Sequence, residues 1–216
     1  MRFLLFVTNQ QEAQKMIPQK LTNILEIISE KLTRKNIPFS VIGAMALGAY
    51  GFPRYTSDID ILTEGCYWPQ LLLLMKKLGY TCYQKTAAFA RFDSEMGVYG
   101  SADFMFVSTQ DGKDILERRI LVSDKLLKQF PVIQPSDYII LKLMAIANNP
   151  HRSMQDGADI LHILKLYSNH LIPQTFEALD TDRICRFADR FRQRECLEKY
   201  LNMAFAKSCK TDSFKL

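Results

Sequence analysis

The run from Val41 to Leu62, VIGAMALGAYGFPRYTSDIDIL, places the strongest constraint on the fold. Its strand-like ending, DIDIL, carries Asp58 and Asp60 and follows a small-residue segment that suits a short helix packed tightly against a sheet. Side chains at positions i and i+2 of a strand lie on the same face, so the two carboxylates repel each other. Burying such a pair is costly without compensation. The run therefore predicts either a solvated strand edge or a cation site.

A divalent cation is the compensation that these residue types favour. Mg²⁺ prefers hard oxygen ligands and often binds one or two carboxylates together with substrate phosphates. Asp103, in the strand-like segment GSADFMFVS, would reach the same face if its strand neighbours that of Asp58 and Asp60. Three carboxylates can hold two metal ions, which activate an attacking hydroxyl and stabilise a leaving pyrophosphate. The alternative for Asp103 is a strand residue that faces water.

Several residues upstream of the aspartate pair are candidates for nucleotide binding. The turn at Gly43 and Ala44 ends one strand and opens the short helix, so its backbone N–H groups and the helix dipole can face phosphates. Arg54, Thr56 and Ser57 precede the pair and are candidates for contacts with phosphate or base. The alternatives are a surface arginine and a threonine that only satisfies the loop backbone.

Predicted strands and helices are segregated along the chain. We expect helices at 11–35, 44–51 and 69–78, strands at 39–43, 58–62, 80–84, 87–93 and 100–108, and a turn at 110–112. From about residue 135 the pattern becomes helical, with helices at 135–149, 153–169 and 180–207 and Ser136 as an N-cap. This order predicts an α+β head over residues 1–130, followed by a C-terminal helical region over 131–216 packed on it.

Composition narrows the classes of protein. The chain of 216 residues fits one domain with or without a helical extension, and its net charge of +5 suits an anionic partner such as a nucleotide or RNA. Five dispersed cysteines indicate reduced thiols in a cytoplasmic protein and no zinc site. We expect neither a signal peptide nor a transmembrane helix. A basic helix face is either solvated or an RNA-binding platform; it comprises Arg183, Arg186, Arg190, Arg192 and Arg194.

The run IGAMALGAYGFPRYTSDIDIL resembles the nucleotidyltransferase superfamily with the polymerase-beta-like fold. That family shows a strand ending in Gly-Gly or Gly-Ser, a short helix, Asp-x-Asp on the next strand and an acidic residue on a later strand. The run is most similar to minimal nucleotidyltransferases that include the AbiEii-type toxins of toxin–antitoxin systems. The resemblance implies a mixed sheet flanked by helices, Mg²⁺ with Mn²⁺ as an alternative, an NTP substrate, a tRNA or protein acceptor, and an antitoxin partner.

The resemblance also implies roles for individual residues. Asp58 and Asp60 would bind the metal and the triphosphate, and Asp103 would orient or deprotonate the acceptor hydroxyl. It extends more weakly to QPSDYIILKLMAI and RSMQDGADIL, where Lys142 would contact the triphosphate and Asp156 would support the active site. The alternatives for these two are a snorkelling lysine and an acid that favours a helix N-terminus.

Two departures from the family pattern keep other functions open. Ala44 stands where relatives have Gly or Ser, and Gln155 stands where relatives often have Lys. Both remove a phosphate contact. The alternatives to transfer onto tRNA or protein are therefore a small-molecule nucleotidyltransferase of the antibiotic-modifying type and a catalytically silent relative that binds nucleotides or a partner.

Overall fold

The computed structural model describes residues 19–95, 99–123 and 129–205. It divides the chain into two compact units, Met1–Gln134 and Pro135–Leu216. The elements described for the first unit are, in chain order, α1 (Gln19–Arg34), β1 (Phe39–Val41), α2 (Gly43–Tyr50), β2 (Asp58–Glu64), α3 (Trp68–Lys77), β3 (Tyr80–Lys85), β4 (Phe89–Ser94), β5 (Ser101–Val107), α4 (Gln110–Glu117), β6 (Ile120–Val122) and β7 (Phe130–Val132).

The strands of the first unit form one mixed sheet of seven strands in the order β3-β4-β5-β2-β1-β7-β6. Strands β2 and β5 pair in parallel at its centre, whereas β4 runs antiparallel to β5 and β1 antiparallel to β2. The order places β5 directly between β2 and β4, although β3 and β4 separate β2 from β5 along the chain. The predicted α+β class, with a mixed sheet flanked by helices, is confirmed.

Alternation along the central strands separates an apolar face from a polar face. Phe92 of β4 and Phe104 of β5 are fully buried and meet edge to face, with ring centroids 5.6 Å apart. Trp68 at the start of α3 packs on Phe92 at 5.8 Å. These aromatic contacts bury large apolar area and fix which face of the sheet is core. Arg91 and Asp103 directly precede these two phenylalanines in their strands, so their side chains lie on the opposite face of the sheet.

The second unit is helical. Its described elements are α5 (Pro135–Asn148), α6 (Ser153–Ser168), α7 (Thr181–Arg190) and α8 (Arg194–Phe205). Helix α6 approaches α8 closely at Gly157, where an added Cβ would lie 1.9 Å from the Tyr200 hydroxyl oxygen. Among the helices within the described ranges, none has the length and apolarity needed to cross a membrane.

Three local predictions are wrong in the second half of the chain. The segment predicted as a turn at 110–112 begins α4, because the Thr109 hydroxyl accepts a hydrogen bond from Gly112 N–H and caps the helix. The helix predicted over 180–207 is two helices, separated where Arg192 adopts a φ of 56°. Ser136 lies inside α5, and its hydroxyl accepts a hydrogen bond from the Asp180 N–H.

Other differences concern strands and boundaries. The sequence analysis missed β6 and β7, which have three residues each. Strand β1 ends at Val41 rather than at residue 43, since Gly43 already belongs to α2. Residues 11–18 of the first predicted helix, residues 206–207 of the last and Cys209 lie outside the described residues, within which Cys66, Cys82, Cys185 and Cys196 are free thiols.

Candidate active site

The turn between β1 and α2 brings Gly43 against the side chain of Asp60. A Cβ at Gly43 would lie 1.8 Å from Asp60 Oδ2, and the residue adopts a φ of +63°. Both observations require glycine, because a side chain would clash with the carboxylate and the left-handed backbone disfavours it. The backbone also joins the two segments, since Ile42 N–H donates to the Asp60 carbonyl at 3.0 Å. The turn between β1 and α2 therefore packs directly against Asp60 of β2.

Thr56 holds the other carboxylate of the Asp-x-Asp pair. It is buried, and its hydroxyl donates to Asp58 Oδ1. The Thr56 hydroxyl oxygen also accepts a weaker hydrogen bond from Asp58 N–H at 3.4 Å. The described contacts of Thr56 orient the side chain that begins β2, and its predicted contact with nucleotide stays a prediction.

Pairing of β2 with β5 brings the third carboxylate to the first two. The register places Asp58 opposite Ser101 and Asp60 opposite Asp103. Asp58, Asp60 and Asp103 each offer a carboxylate oxygen, and these atoms lie within 4.8 Å of one another. Since i and i+2 share a face, the parallel register aligns all three side chains.

Asp103 is the most buried of the three. It is 9% exposed, and its Oδ1 has no hydrogen-bond partner. Burial, together with the charges of Asp58 and Asp93, raises the pKa of Asp103 to about 6, and the Arg91 guanidinium opposes that shift. The carboxyl therefore titrates near neutral pH in the metal-free protein.

These residues fit a hard divalent cation. Three carboxylates supply the oxygen donors that Mg²⁺ and Mn²⁺ prefer. The buried Oδ1 of Asp103 lacks any other partner, and a buried unpaired carboxylate oxygen is costly unless it is compensated. The donor set and this unpaired atom both agree with a metal centre at the cluster.

Arg91 is a candidate site residue that the sequence analysis did not find. It lies on β4 directly opposite Asp103 of β5. Its NH1 lies 3.7 Å from Asp103 Oδ2, and its NH2 donates to the Ser101 hydroxyl at 3.0 Å. The sequence pattern predicts that an arginine in an alternating strand faces solvent. Its position beside the carboxylates follows from the strand order, which the pattern does not give.

The remaining predicted residues of the first unit lie at the start of α2 and in the segment before β2. Ala44 is buried as the second residue of α2, whose preceding residue Ile42 provides no side-chain cap. The first backbone N–H groups of α2 consequently lack a capping side chain. Arg54 is half-buried and donates to the Tyr55 carbonyl at 3.5 Å, whereas Ser57 is exposed. Arg54 and Ser57 both precede the start of β2.

Lys142 and Asp156 belong to a buried ionic network inside the second unit. Lys142 Nζ lies 2.6 Å from Asp156 Oδ1 and 2.9 Å from Asp159 Oδ2, and its side chain is 11% exposed. Arg152 Nε lies 2.8 Å from the other oxygen of Asp156. Burial would raise the pKa of Asp156, but hydrogen bonds and charge from Arg152 and Lys142 outweigh it and lower that pKa below its usual range. This network pairs the two predicted residues with each other, and their roles at the triphosphate and the active site stay predictions.

The basic face predicted on the last helices is partly neutralised. Arg183 Nε donates to Asp137 Oδ1 at 2.9 Å, and its side chain is largely buried. Arg194 pairs with Asp189, with Nε 2.6 Å from Oδ1. These two arginines therefore pair with carboxylates of the same unit, and this pairing reduces the charge that the face can offer to RNA.

Comparison with known proteins gives matches of structure only. No family model and no curated protein matches the chain. An antigenic nucleotidyltransferase-like protein from Paracoccidioides brasiliensis superimposes with a TM-score of 0.52 at 14% identity, covering 87% of this chain and 97% of that one. The antibiotic-resistance factor ANT(2'')-Ia, in complex with adenylyl-2''-tobramycin, gives 0.57 at 12% identity, covering 82% and 99%.

These likenesses define the class of fold. The chain has the polymerase-beta-like fold of nucleotidyltransferase-like proteins, which confirms that part of the resemblance read from the sequence. At such identities the likeness concerns the fold alone.

Proposed function

We propose that the chain is a metal-dependent nucleotidyltransferase that moves a nucleoside monophosphate from an NTP to an acceptor hydroxyl. The observation that carries the proposal is the convergence of Asp58, Asp60 and Asp103 within 4.8 Å on one face of the central strands. The fold supports it, because the structural neighbours are nucleotidyltransferases or nucleotidyltransferase-like proteins.

The carboxylates would hold Mg²⁺ or Mn²⁺, which when bound neutralises charge on the triphosphate and on the leaving group. Gly43 brings the start of α2 against Asp60, so the uncapped N–H groups of that helix can bind phosphate oxygens. Arg54 adds positive charge at the start of β2, where it would help to neutralise the pyrophosphate. Ser57, exposed beside it, offers a hydroxyl to the nucleotide.

Asp103 is the residue suited to accept the proton in the reaction. The acceptor oxygen attacks the α-phosphorus and forms a new P–O bond, while the bond to the β-phosphate oxygen breaks and its electron pair leaves with pyrophosphate. The hydroxyl proton passes to the Asp103 carboxylate. Burial raises the pKa of Asp103 to about 6 in the metal-free protein, and a bound cation would lower it, so the role rests on position: Asp103 lies opposite Asp60 at the cluster.

The acceptor distinguishes two versions of this function, and a catalytically silent relative is a third. The similarity to AbiEii-type toxins suggests transfer to tRNA or protein, with an antitoxin as partner. Two observations favour a small-molecule acceptor: Arg183 and Arg194 are already paired with carboxylates, and ANT(2'')-Ia was solved with an adenylylated aminoglycoside. Ala44 and Gln155 support the third version, a silent nucleotide-binding relative.

The deciding experiment offers each of the four α-labelled NTPs with Mg²⁺ to three acceptors: total tRNA, total protein and an aminoglycoside. Asp58→Ala should abolish label transfer and pyrophosphate release. Asp114→Asn removes a carboxylate on α4 that bonds Gln110, so it is the matched control and should keep full activity. Transfer that survives Asp58→Ala would contradict the proposal, and NTP binding without pyrophosphate release would identify the silent relative.

A further inference from the structure

We propose that Arg91 is a positioning residue of the carboxylate cluster: its guanidinium attracts one oxygen of Asp103 and leaves the other for the metal. The inference rests on the proposed function. It adds a residue from β4, outside the strand–turn–helix run and the strands that carry the aspartates.

Three contacts fix the guanidinium of Arg91. NH1 faces Asp103 Oδ2 at 3.7 Å, NH2 donates to the Ser101 hydroxyl at 3.0 Å, and Nε donates to Asp93 Oδ1 at 3.4 Å. A planar guanidinium that is held at several nitrogens has little freedom to rotate. Its charge therefore attracts Asp103 Oδ2 from a defined direction.

The other oxygen of Asp103, Oδ1, is the atom that this arrangement leaves available to a cation. Oδ1 is buried without a hydrogen-bond partner, while Oδ2 faces Arg91. The attraction between the guanidinium and Oδ2 favours the rotation of the carboxylate that leaves Oδ1 bare. We infer that Oδ1 is the oxygen that Asp103 offers to a cation shared with Asp58 and Asp60.

The charge of Arg91 acts against the cation that this geometry serves. Three carboxylates face one guanidinium, so the cluster attracts a divalent ion less strongly than the carboxylates alone would. Removing the guanidinium should therefore loosen the orientation of Asp103 but strengthen the attraction of the cluster for the cation. A residue that only supports the sheet would not produce this opposition.

The test measures Mn²⁺ binding to the nucleotide-free full chain by the paramagnetic resonance signal of free Mn²⁺, together with kcat and KM for the NTP. The variants are Arg91→Gln, Arg91→Lys and Asp103→Asn. Arg34→Gln is the matched control, because it removes the same charge from an exposed pair with Glu30 on α1. Thermal unfolding of each variant establishes that it is folded.

We expect Arg91→Gln to tighten Mn²⁺ binding about three- to tenfold through the lost repulsion. It should also lower kcat about tenfold or more, with little change in KM, because Asp103 is no longer held. Arg91→Lys keeps the charge without the planar fork, so its Mn²⁺ affinity should stay near that of the wild type and its kcat should be intermediate. Arg34→Gln should change neither.

One result would overturn the inference alone: a wild-type kcat in Arg91→Lys, which applies even if Arg91→Gln does not fold. A different result would remove the proposed function as well. In that case the wild type binds no Mn²⁺, or Asp103→Asn binds it as tightly as the wild type.

Discussion

Asp60 and Asp103 lie directly opposite each other on the parallel strands β2 and β5, with Asp58 on the same face. Like charges on paired strands repel, and in the metal-free protein the described compensation for Asp103 is the Arg91 guanidinium. The cluster could thus hold a cation, and without one its carboxylates cost stability.

Asp103→Asn should stabilise the metal-free protein at neutral pH. The folded pKa of Asp103, about 6, lies above its unfolded value near 3.8, so ionisation disfavours the native state and its stability falls as the pH rises between these values. Asparagine mimics the protonated acid, and the gain should be about 1–3 kcal/mol above pH 6. Urea unfolding in a chelator at pH 7.5 and pH 4.5 measures it. A gain of equal size at both pH values would contradict this account.

Gly43→Ala should reduce both stability and activity. The new Cβ would occupy the position of the Asp60 carboxylate, and the backbone at φ +63° disfavours alanine. We expect a loss of at least about 1 kcal/mol in unfolding free energy and a large loss of transfer. Gly65→Ala is the control, because its Cβ would meet Phe106 at an ordinary 3.7 Å. Similar effects of the two substitutions would show that the Gly43–Asp60 contact is unimportant.

Thr56→Val should weaken metal binding and transfer, whereas Thr56→Ser should preserve both. Valine keeps the volume but removes the hydroxyl that donates to Asp58 Oδ1, and a hydrogen bond to a charged group contributes about 1.5–3 kcal/mol. We therefore expect at least about a tenfold loss in Mn²⁺ affinity for the valine variant. Equal titration curves for the two variants would assign Thr56 to the loop backbone alone.

Lys142→Met should destabilise the second unit by about 3–5 kcal/mol, because it leaves Asp156 and Asp159 buried without their shared cation. Arg152 still pairs with Asp156, so Asp159 bears most of the loss. Chemical denaturation measures the effect. A variant of normal stability with a raised KM for the NTP would instead support the triphosphate contact that the family resemblance implies.

The three carboxylates could be predicted from the sequence because strand alternation is local. Asp58 and Asp60 share a face wherever their strand goes, and Asp103 stands in a similar apolar alternation. That β5 lies beside β2 could not be read from the pattern, because strand order depends on contacts between distant segments. Arg91 was missed for the same reason.

Short and weakly marked elements account for most of the differences in fold. Strands β6 and β7 have three residues each, too few for alternation to register, and β7 contains Pro131. The break between α7 and α8 falls at Arg192, in a segment without glycine or proline to indicate it. Lys142 and Asp156 were noticed, but their pairing with each other depends on how α5 packs against α6.

The order of the strands also determines when the carboxylate cluster can form during folding. The edge of β2 that pairs with β5 stays open until β5 joins it, and β5 follows β3 and β4 along the chain. A chain that ends before Ser101 holds Asp58 and Asp60 but has no third carboxylate. Parallel pairing of distant strands is among the slower steps of folding. A chain still emerging from the ribosome therefore lacks the complete carboxylate cluster until β5 has been synthesised and has paired with β2.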